Sequence, residues 1–320
     1  MNPLYNEKYQ LLDILYNDVG EYVIIHNGMV PAIDVRLSTP AGLIPFTMHE
    51  CSEKFGRVYT LANPEADDVT LCINGETEIY PVNKWPSYPG EIIMSTAVKN
   101  EDEYILQWIK YYTALGVTRF IIYDNSSNPT LTSNYMASKG RPSDLPNILK
   151  GLDNVLLINW PYQGHMFQPA HENHSVNAFR KSLYIGFLDV DEYVNPQGNA
   201  KHLTDILPAV CETGGQLMLC RNFRNPFNLP EHGNEFLKIY TCDPIVYGAG
   251  NVNGSKIWVH PPNVRAMLVH DITNGLQPTR LVSDVVYFNH YIFLNKHMRG
   301  REYTRDMDDS IKRIASFAFI

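Results

Sequence analysis

The chain lacks the marks of several protein classes. It has five cysteines, an odd number with no CxxC spacing, so neither a disulfide scaffold nor a cysteine zinc site is indicated, although Cys51 with Cys72 could form one bridge. No apolar stretch reaches the length needed to span a bilayer, and the opening residues MNPLYNEKYQ lack a charged segment followed by an apolar one. The expectation is therefore a soluble cytoplasmic protein. A net charge of -8 leaves no broad basic surface for nucleic acid. Internal repeats and low-complexity tracts are absent, and the HENH segment at His171–His174 lacks the H-E-x-x-H spacing of zinc proteases. Structural zinc on His165, His171 and His174 is a minor alternative.

What is present is a globular chain of 320 residues, 44% of them hydrophobic, enough for a large core or about two domains. From Glu21 to about Tyr80 short β-rich runs (EYVIIHNG, AIDVRLSTP, RVYTLAN, VTLCING, TEIYPV) are separated by Gly, Pro and Asn. They predict a β-rich module over residues 1–88, with NKWPSYPG as its edge, followed by a second domain over 89–320. There the texture changes. Ile92–Val98 reads as a strand, and Tyr104, Ile105, Trp108, Ile109, Tyr112 and Leu115 form a helical stripe that Gly116 stops. Arg119–Tyr123 and Asn154–Trp160 read as strands, Glu172–Ser182 as a helix, and a further strand ends at Leu188. Such alternation predicts an α/β fold, a mostly parallel sheet flanked by helices, with its ligand site at the carboxyl ends of the strands.

That last strand runs into FLDVDEYVNP, where Asp189, Asp191 and Glu192 follow an apolar run. Buried carboxylates require a cation, donors or water. If the strand continues, Asp189 and Asp191 project to one side and Glu192 to the other. Two carboxylates so placed can share Mg²⁺ or Mn²⁺, which completes its shell with water and phosphate oxygens; a solvated turn holding the acids without metal is the alternative.

Strand, Lys99-Asn100-Glu101, helix, the strand end Tyr123-Asp124-Asn125-Ser126, then Asp189-x-Asp191-Glu192-Tyr193 and a late His290-Tyr291 follow in order. In these features the chain resembles the GT-A (Rossmann-like) nucleotide-sugar glycosyltransferases, specifically glycosyltransferase family 92 and relatives, over roughly Gly90–Arg301. The resemblance implies transfer of a sugar, hexosyl or pentosyl, from a nucleotide sugar to a glycan hydroxyl, with a UDP-sugar as the expected donor and an inverting course. It implies that Asp189 and Asp191 hold Mn²⁺, or Mg²⁺, against the diphosphate, with His290 as a further ligand and His270 as its rival. Glu192 would orient the loop or accept donor-sugar hydroxyls. Lys99, Asn100, Glu101, Asp124 and Asn125 would line the nucleotide pocket, and Lys256 would pair with phosphate. From the residues themselves, Gln168–Arg180 reads as a polar-faced helix over the donor site, whose Arg180 would help neutralise phosphate or else complement the helix dipole. An inverting reaction needs a carboxylate near the acceptor. Glu231, Glu235 and Asp243 are the candidates, in the segment where the resemblance is weakest, with Phe223, Phe227 and His232 as a sugar-stacking wall.

Three other functions compete. A glycoside hydrolase sets its carboxylates on opposite sides of the bond, which suits Asp189 and Asp191 poorly. A nucleotidyltransferase acting on sugar phosphates would carry a Gly-rich loop after the first strand of the sheet, yet STAVKNEDE has no glycine. A non-catalytic carbohydrate-binding protein would use the β-rich part and the 20 tyrosines without metal or nucleotide.

Overall fold

The computed structural model describes residues 2–27, 30–52, 56–98, 102–126, 144–160, 167–207, 213–222, 241–242, 255–280, 285–291 and 306–307. Short strands come first: β1 (Leu11–Tyr16), β2 (Glu21–His26), β3 (Val35–Thr39), β4 (Gly42–Pro45), β5 (Thr47–Ser52), β6 (Gly56–Ala62), β7 (Asp68–Ile73), β8 (Glu76–Pro81) and β9 (Asn83–Lys84). They form two sheets, ordered β5-β6-β2-β1-β9 and β4-β3-β7-β8. In β3 and β7 buried Val35, Leu37, Val69, Leu71 and Ile73 alternate with more open residues, the period expected of strands covered on one face. These side chains meet Leu11, Ile14, Tyr22 and Ile24 in a core between the two sheets. Sequence reading begins the strands at Glu21 and misses β1, whose apolar run LLDILY is broken by an acid. Cys51 and Cys72 lie on β5 and β7, in different sheets, and are free thiols, so the bridge considered between them does not form.

Strands and helices then alternate: β10 (Ile92–Val98), α1 (Asp102–Ala114), β11 (Arg119–Asp124), α2 (Leu145–Ile148), β12 (Val155–Asn159), α3 (Phe167–Ala178), β13 (Tyr184–Phe187), β14 (Glu192–Pro196), α4 (Leu203–Ile206) and β15 (Gly215–Asn222). After them come β16 (Thr241–Cys242), β17 (Ser255–Val259), β18 (Val264–Leu268), β19 (Asp271–Gly275), β20 (Thr279–Arg280), β21 (Val286–His290) and β22 (Asp306–Met307). The main sheet runs β12-β11-β10-β13-β17-β15-β21-β14. Its first four strands are mutually parallel, β17 is antiparallel to β13, and β14 is antiparallel to β21. The architecture is thus mixed α/β, with a run of four parallel strands on one side and, beyond β17, a parallel pair of β15 with β21 on the other.

Strands β10 and β11 are mainly apolar and buried along almost their whole length, because both faces are covered. Met94, Phe120 and Ile122 pack with Ile105, Trp108, Ile109 and Tyr112 of α1. On the other face Ile93, Ile121 and Tyr123 pack with Val176 and Ala178 of α3. Leu12, Leu15, Val23 and Ile25 of β1 and β2 join this second core, so α3 lies between the N-terminal strands and the main sheet. Gly116, at φ +97°, ends α1 in the left-handed conformation that favours glycine. Helix α3 starts one residue before Gln168 and stops at Ala178, short of both the Arg180 and the Ser182 ends expected from sequence. Among the described residues no helix is long and apolar enough to cross a membrane.

Candidate active site

Strand β13 stops at Phe187, and the segment Leu188–Asp191 steps across to β14, which pairs with β21. The condition for Asp189 and Asp191 to share one strand face is therefore not met: neither belongs to a strand. The step is fixed by its own backbone. Asp189 N donates to Glu192 Oε2 (2.8 Å), and Glu192 N and Trp108 Nε1 donate to Asp189 O (3.0 and 3.1 Å). Tyr112 OH donates to Glu192 O (2.9 Å) and accepts from Val194 N (3.0 Å), while Tyr291 N donates to Asp191 O (2.9 Å). Pairing of the buried main-chain groups with aromatic hydroxyl and indole donors is what lets the chain turn inside the core. Gly186, just upstream, leaves room for Trp258: a Cβ there would stand 2.7 Å from its ring.

Each acid meets a cation from another strand. In the register Phe187 opposite Ile257, the start of β17 lies beside the end of β13, and this brings Lys256 to the step. Its Nζ is 2.9 Å from Asp189 Oδ2 and 3.2 Å from Glu192 Oε2. The lysine side chain is only 7% exposed, a burial that requires such pairing. Gln168 Nε2, from the first turn of α3, donates to Asp189 Oδ1 (3.0 Å). Asp189 still keeps 40% of its side-chain surface open, whereas Glu192 keeps 3%. Asp191 faces His290 across 3.5 Å. The three acids thus divide into a lysine-bridged pair and an acid–imidazole pair.

Electrostatics follow this division. Burial pushes the Asp189 carboxyl up, but the Lys256 charge and hydrogen bond outweigh it and hold the group below its usual range. Burial holds Glu192 up at about 7 although Lys256 draws it down. Glu172, on α3 and 2% exposed, is pushed by burial to about 8 against the pull of Lys256. Its Oε2 is buried without a hydrogen-bond partner among the described residues. His290 is held well above the usual imidazole range: burial opposes protonation, and the Asp191 charge and hydrogen bond prevail. Gln168 and Glu172 belong to the polar-faced helix that sequence reading sets over the donor site, although neither is singled out there as a partner of the acids. The legible signal is their spacing, four apart on one helix face.

Asp124 and Asn125 lie at the carboxyl end of β11, on the same edge of the parallel strands as Asp189, and both are buried. Asp124 Oδ1 accepts from Ser126 N (2.9 Å), and Asn125 Nδ2 donates to Trp160 O (3.1 Å). Other expectations need correction. Arg180 donates to the carbonyls of Val264 (2.7 Å) and Pro262 (2.9 Å), among Arg265, Glu21 and Asp18 instead of the acids of the step, so its guanidinium is committed to holding β18. Burial and Arg265 lower it to about 10. The ring of His174 is occupied on both nitrogens by Asp13 and Tyr123, which removes it from any zinc set with His171. His270 Nδ1 pairs with the Ser255 carbonyl, whereas His290 faces an acid. Among the described residues no group of three or more His, Cys, Asp and Glu side chains converges as a ready metal cage. Lys99, Asn100, Glu101, His165, Phe223, Phe227, Glu231, His232, Glu235 and Asp243 lie outside the described residues.

No protein-family model matches the chain. It is 29% identical over 236 residues to a glycosyltransferase family 92 protein of Arabidopsis thaliana, a match covering 68% of this chain and 38% of that protein. A family 92 protein of Oryza sativa subsp. japonica is 27% identical over 128 residues, covering 38% of this chain and 19% of the relative. One of Ricinus communis is 26% identical over 106 residues, or 33% and 17%. The matches therefore span from 17% to 38% of the length of these relatives. The solved apo structure of WbbM, a bifunctional glycosyltransferase, gives a TM-score of 0.26 at 12% identity over 45% of this chain and 27% of that one, too distant for any structural argument. On its curated relatives, the chain resembles the glycosyltransferases of family 92.

Proposed function

We propose that this chain is a metal-dependent glycosyltransferase that moves a sugar from a nucleotide sugar, a UDP-sugar in the first instance, to a glycan hydroxyl with inversion. The observation carrying this reading is the set of acids and cations at the ends of the parallel strands: Asp189 and Glu192 on Lys256, and Asp191 on His290. Parallel sheets bind ligands at that edge. The donor set suits Mn²⁺ or Mg²⁺, being carboxylate oxygens with one imidazole. Asp191 and His290 already face one another, and Asp189 uses one hydrogen bond on each oxygen, leaving lone pairs on its open side. These three residues would hold the ion, which when bound stabilises the charge that develops on a departing diphosphate.

The rest falls to the chain itself. Lys256 presents a fixed positive charge beside Asp189, where phosphate oxygens can replace part of its carboxylate contact. Glu192 holds that lysine from below and caps the Asp189 amide, which orients the step. Asp124 and Asn125 would meet base or ribose, with Lys99, Asn100 and Glu101 beside them, and the acceptor base would come from Glu231, Glu235 or Asp243. The family 92 names of the curated relatives support the glycosyltransferase part of this reading.

The test is release of nucleoside diphosphate from a panel of UDP- and GDP-sugars with Mn²⁺, comparing the unsubstituted chain with Asp191→Asn. Release that falls by about 100-fold or more in the variant, as loss of a metal ligand would cause, supports the reading. No release from any donor, or equal release by both proteins, overturns it.

A further inference from the structure

The N-terminal strands contribute one fully buried acid, Asp13 of β1. Its Oδ1 accepts from Leu4 N (3.0 Å), Ile14 N (2.9 Å) and Asn83 Nδ2 (2.7 Å), and its Oδ2 from Trp85 Nε1 (3.1 Å). The remaining partner is distant in sequence: His174 Nε2 of α3, 2.9 Å from Oδ2. The other nitrogen of that imidazole pairs with Tyr123 OH (2.7 Å), which also meets Ser175 Oγ (2.8 Å), and Ser175 meets Ser95 Oγ (2.8 Å). Asp13, His174, Tyr123, Ser175 and Ser95 are all 0% exposed. Hydrogen bonds in such a dry interior hold their partners tightly, and a network with every member satisfied specifies one arrangement.

The network ends where the donor is proposed to bind. Tyr123 immediately precedes Asp124 and Asn125, and Ser95 lies on β10, whose Val98 O receives Asn125 N (2.9 Å). Other contacts seat the same N-terminal strands: Arg265 forks onto Glu21 at 2.6 and 2.9 Å, and Lys181 N donates to Asp18 Oδ2 at 3.2 Å. We propose that Asp13 is a positioning residue of the donor site, acting through His174 and Tyr123 on the end of β11. The N-terminal strands are then part of the transfer machinery and not a separable glycan-binding module. The inference rests on the donor-site reading for its functional consequence, while the positioning stands on the network.

Tyr123→Phe removes the hydroxyl and keeps the ring, and Asp13→Asn removes the carboxylate; Val35→Ala, in the core between the two N-terminal sheets, controls for lost stability. Two readouts are taken: UDP affinity by titration with Mn²⁺, and amide hydrogen exchange across Ile122–Ser126. The expectation is about tenfold weaker UDP binding and about tenfold faster exchange at Asp124 and Asn125 in both network variants, with neither change in Val35→Ala. Should Asp13→Asn fail to fold, Tyr123→Phe decides. Exchange at Asn125 that is unchanged in Tyr123→Phe, or accelerated equally by Val35→Ala, overturns the inference. If the unsubstituted chain binds no UDP, the donor reading falls, and the exchange result alone judges whether Asp13 positions β11.

Discussion

Replacing Lys256 with Met keeps the length of the side chain and removes the charge that two acids share. At 2.9 and 3.2 Å and an effective dielectric of about 20, each contact amounts to roughly 5–6 kcal/mol of gross attraction. Desolvation of the lysine and of Glu192 consumes most of this, and breaking a buried pair by removing one partner costs about 3–5 kcal/mol. Asp189 is 40% open, so water can take over its charge, and the loss falls on Glu192, at 3% exposure. The expected cost is thus near the lower end, about 3 kcal/mol, or roughly 5–10 °C in thermal midpoint for a chain of this size. Its pH dependence is diagnostic. Glu192 already titrates at about 7, above its unfolded value, and loses its main counter-charge in the variant. A carboxyl whose folded pKa is raised holds its proton in the folded state, so stability falls as pH rises towards that pKa. Lys256→Met should therefore lose more relative to the parent at about pH 8.5 than at about pH 6. Melting followed by near-UV circular dichroism at both pH values is the assay. A variant as stable as the parent at the higher pH would refute the role given to Lys256.

Further outcomes can be checked on the same apparatus. Gly186→Ala forces a Cβ to within 2.7 Å of the Trp258 ring, which is fully buried, and should cost about 1–3 kcal/mol by denaturant titration. Tyr112→Phe leaves Val194 N and Glu192 O without their shared hydroxyl, an expected loss of about 1–3 kcal/mol; a loss below ~0.5 kcal/mol would show the step at Asp189 to be held by other means. His26, between sheet and helix, has its imidazole lowered by burial from 6.5 to about 4. The unfolded chain binds the proton more readily, so His26 stabilises the fold above pH 6.5 and this contribution is lost as pH falls to about 4, by about 3 kcal/mol. His26→Leu should flatten the acid limb of the stability profile, and an unaltered limb would remove His26 as its cause.

Much of the parallel half is written locally. The apolar stripe of α1, its glycine stop and the runs of β10, β11 and β12 each declare themselves over a few residues, most clearly in β10 and β11, whose two faces are both covered. The acids after β13 also stand out in sequence. Their partners do not: Lys256 is 67 residues beyond Asp189, and only the antiparallel register of β17 against β13 brings it there. The same holds for Asp13, whose partner His174 lies 161 residues away and whose acid breaks the apolar run that would have marked β1. Arg180 looks like a phosphate ligand in sequence because nothing local shows that the carbonyls of β18 will claim it. Side-chain direction past the end of a strand was equally illegible, since the turn from β13 to β14 depends on hydrogen bonds from Trp108 and Tyr112 of another element.

The most direct measurement is isothermal titration of UDP and GDP, with and without Mn²⁺, into the unsubstituted chain and Asp189→Ala. The account predicts Mn²⁺-dependent binding of one nucleotide, UDP first, that is lost in the variant. Absence of nucleotide binding with either nucleotide, or binding that ignores both the metal and Asp189, would contradict it and leave the acids after β13 as partners of Lys256 and His290 alone.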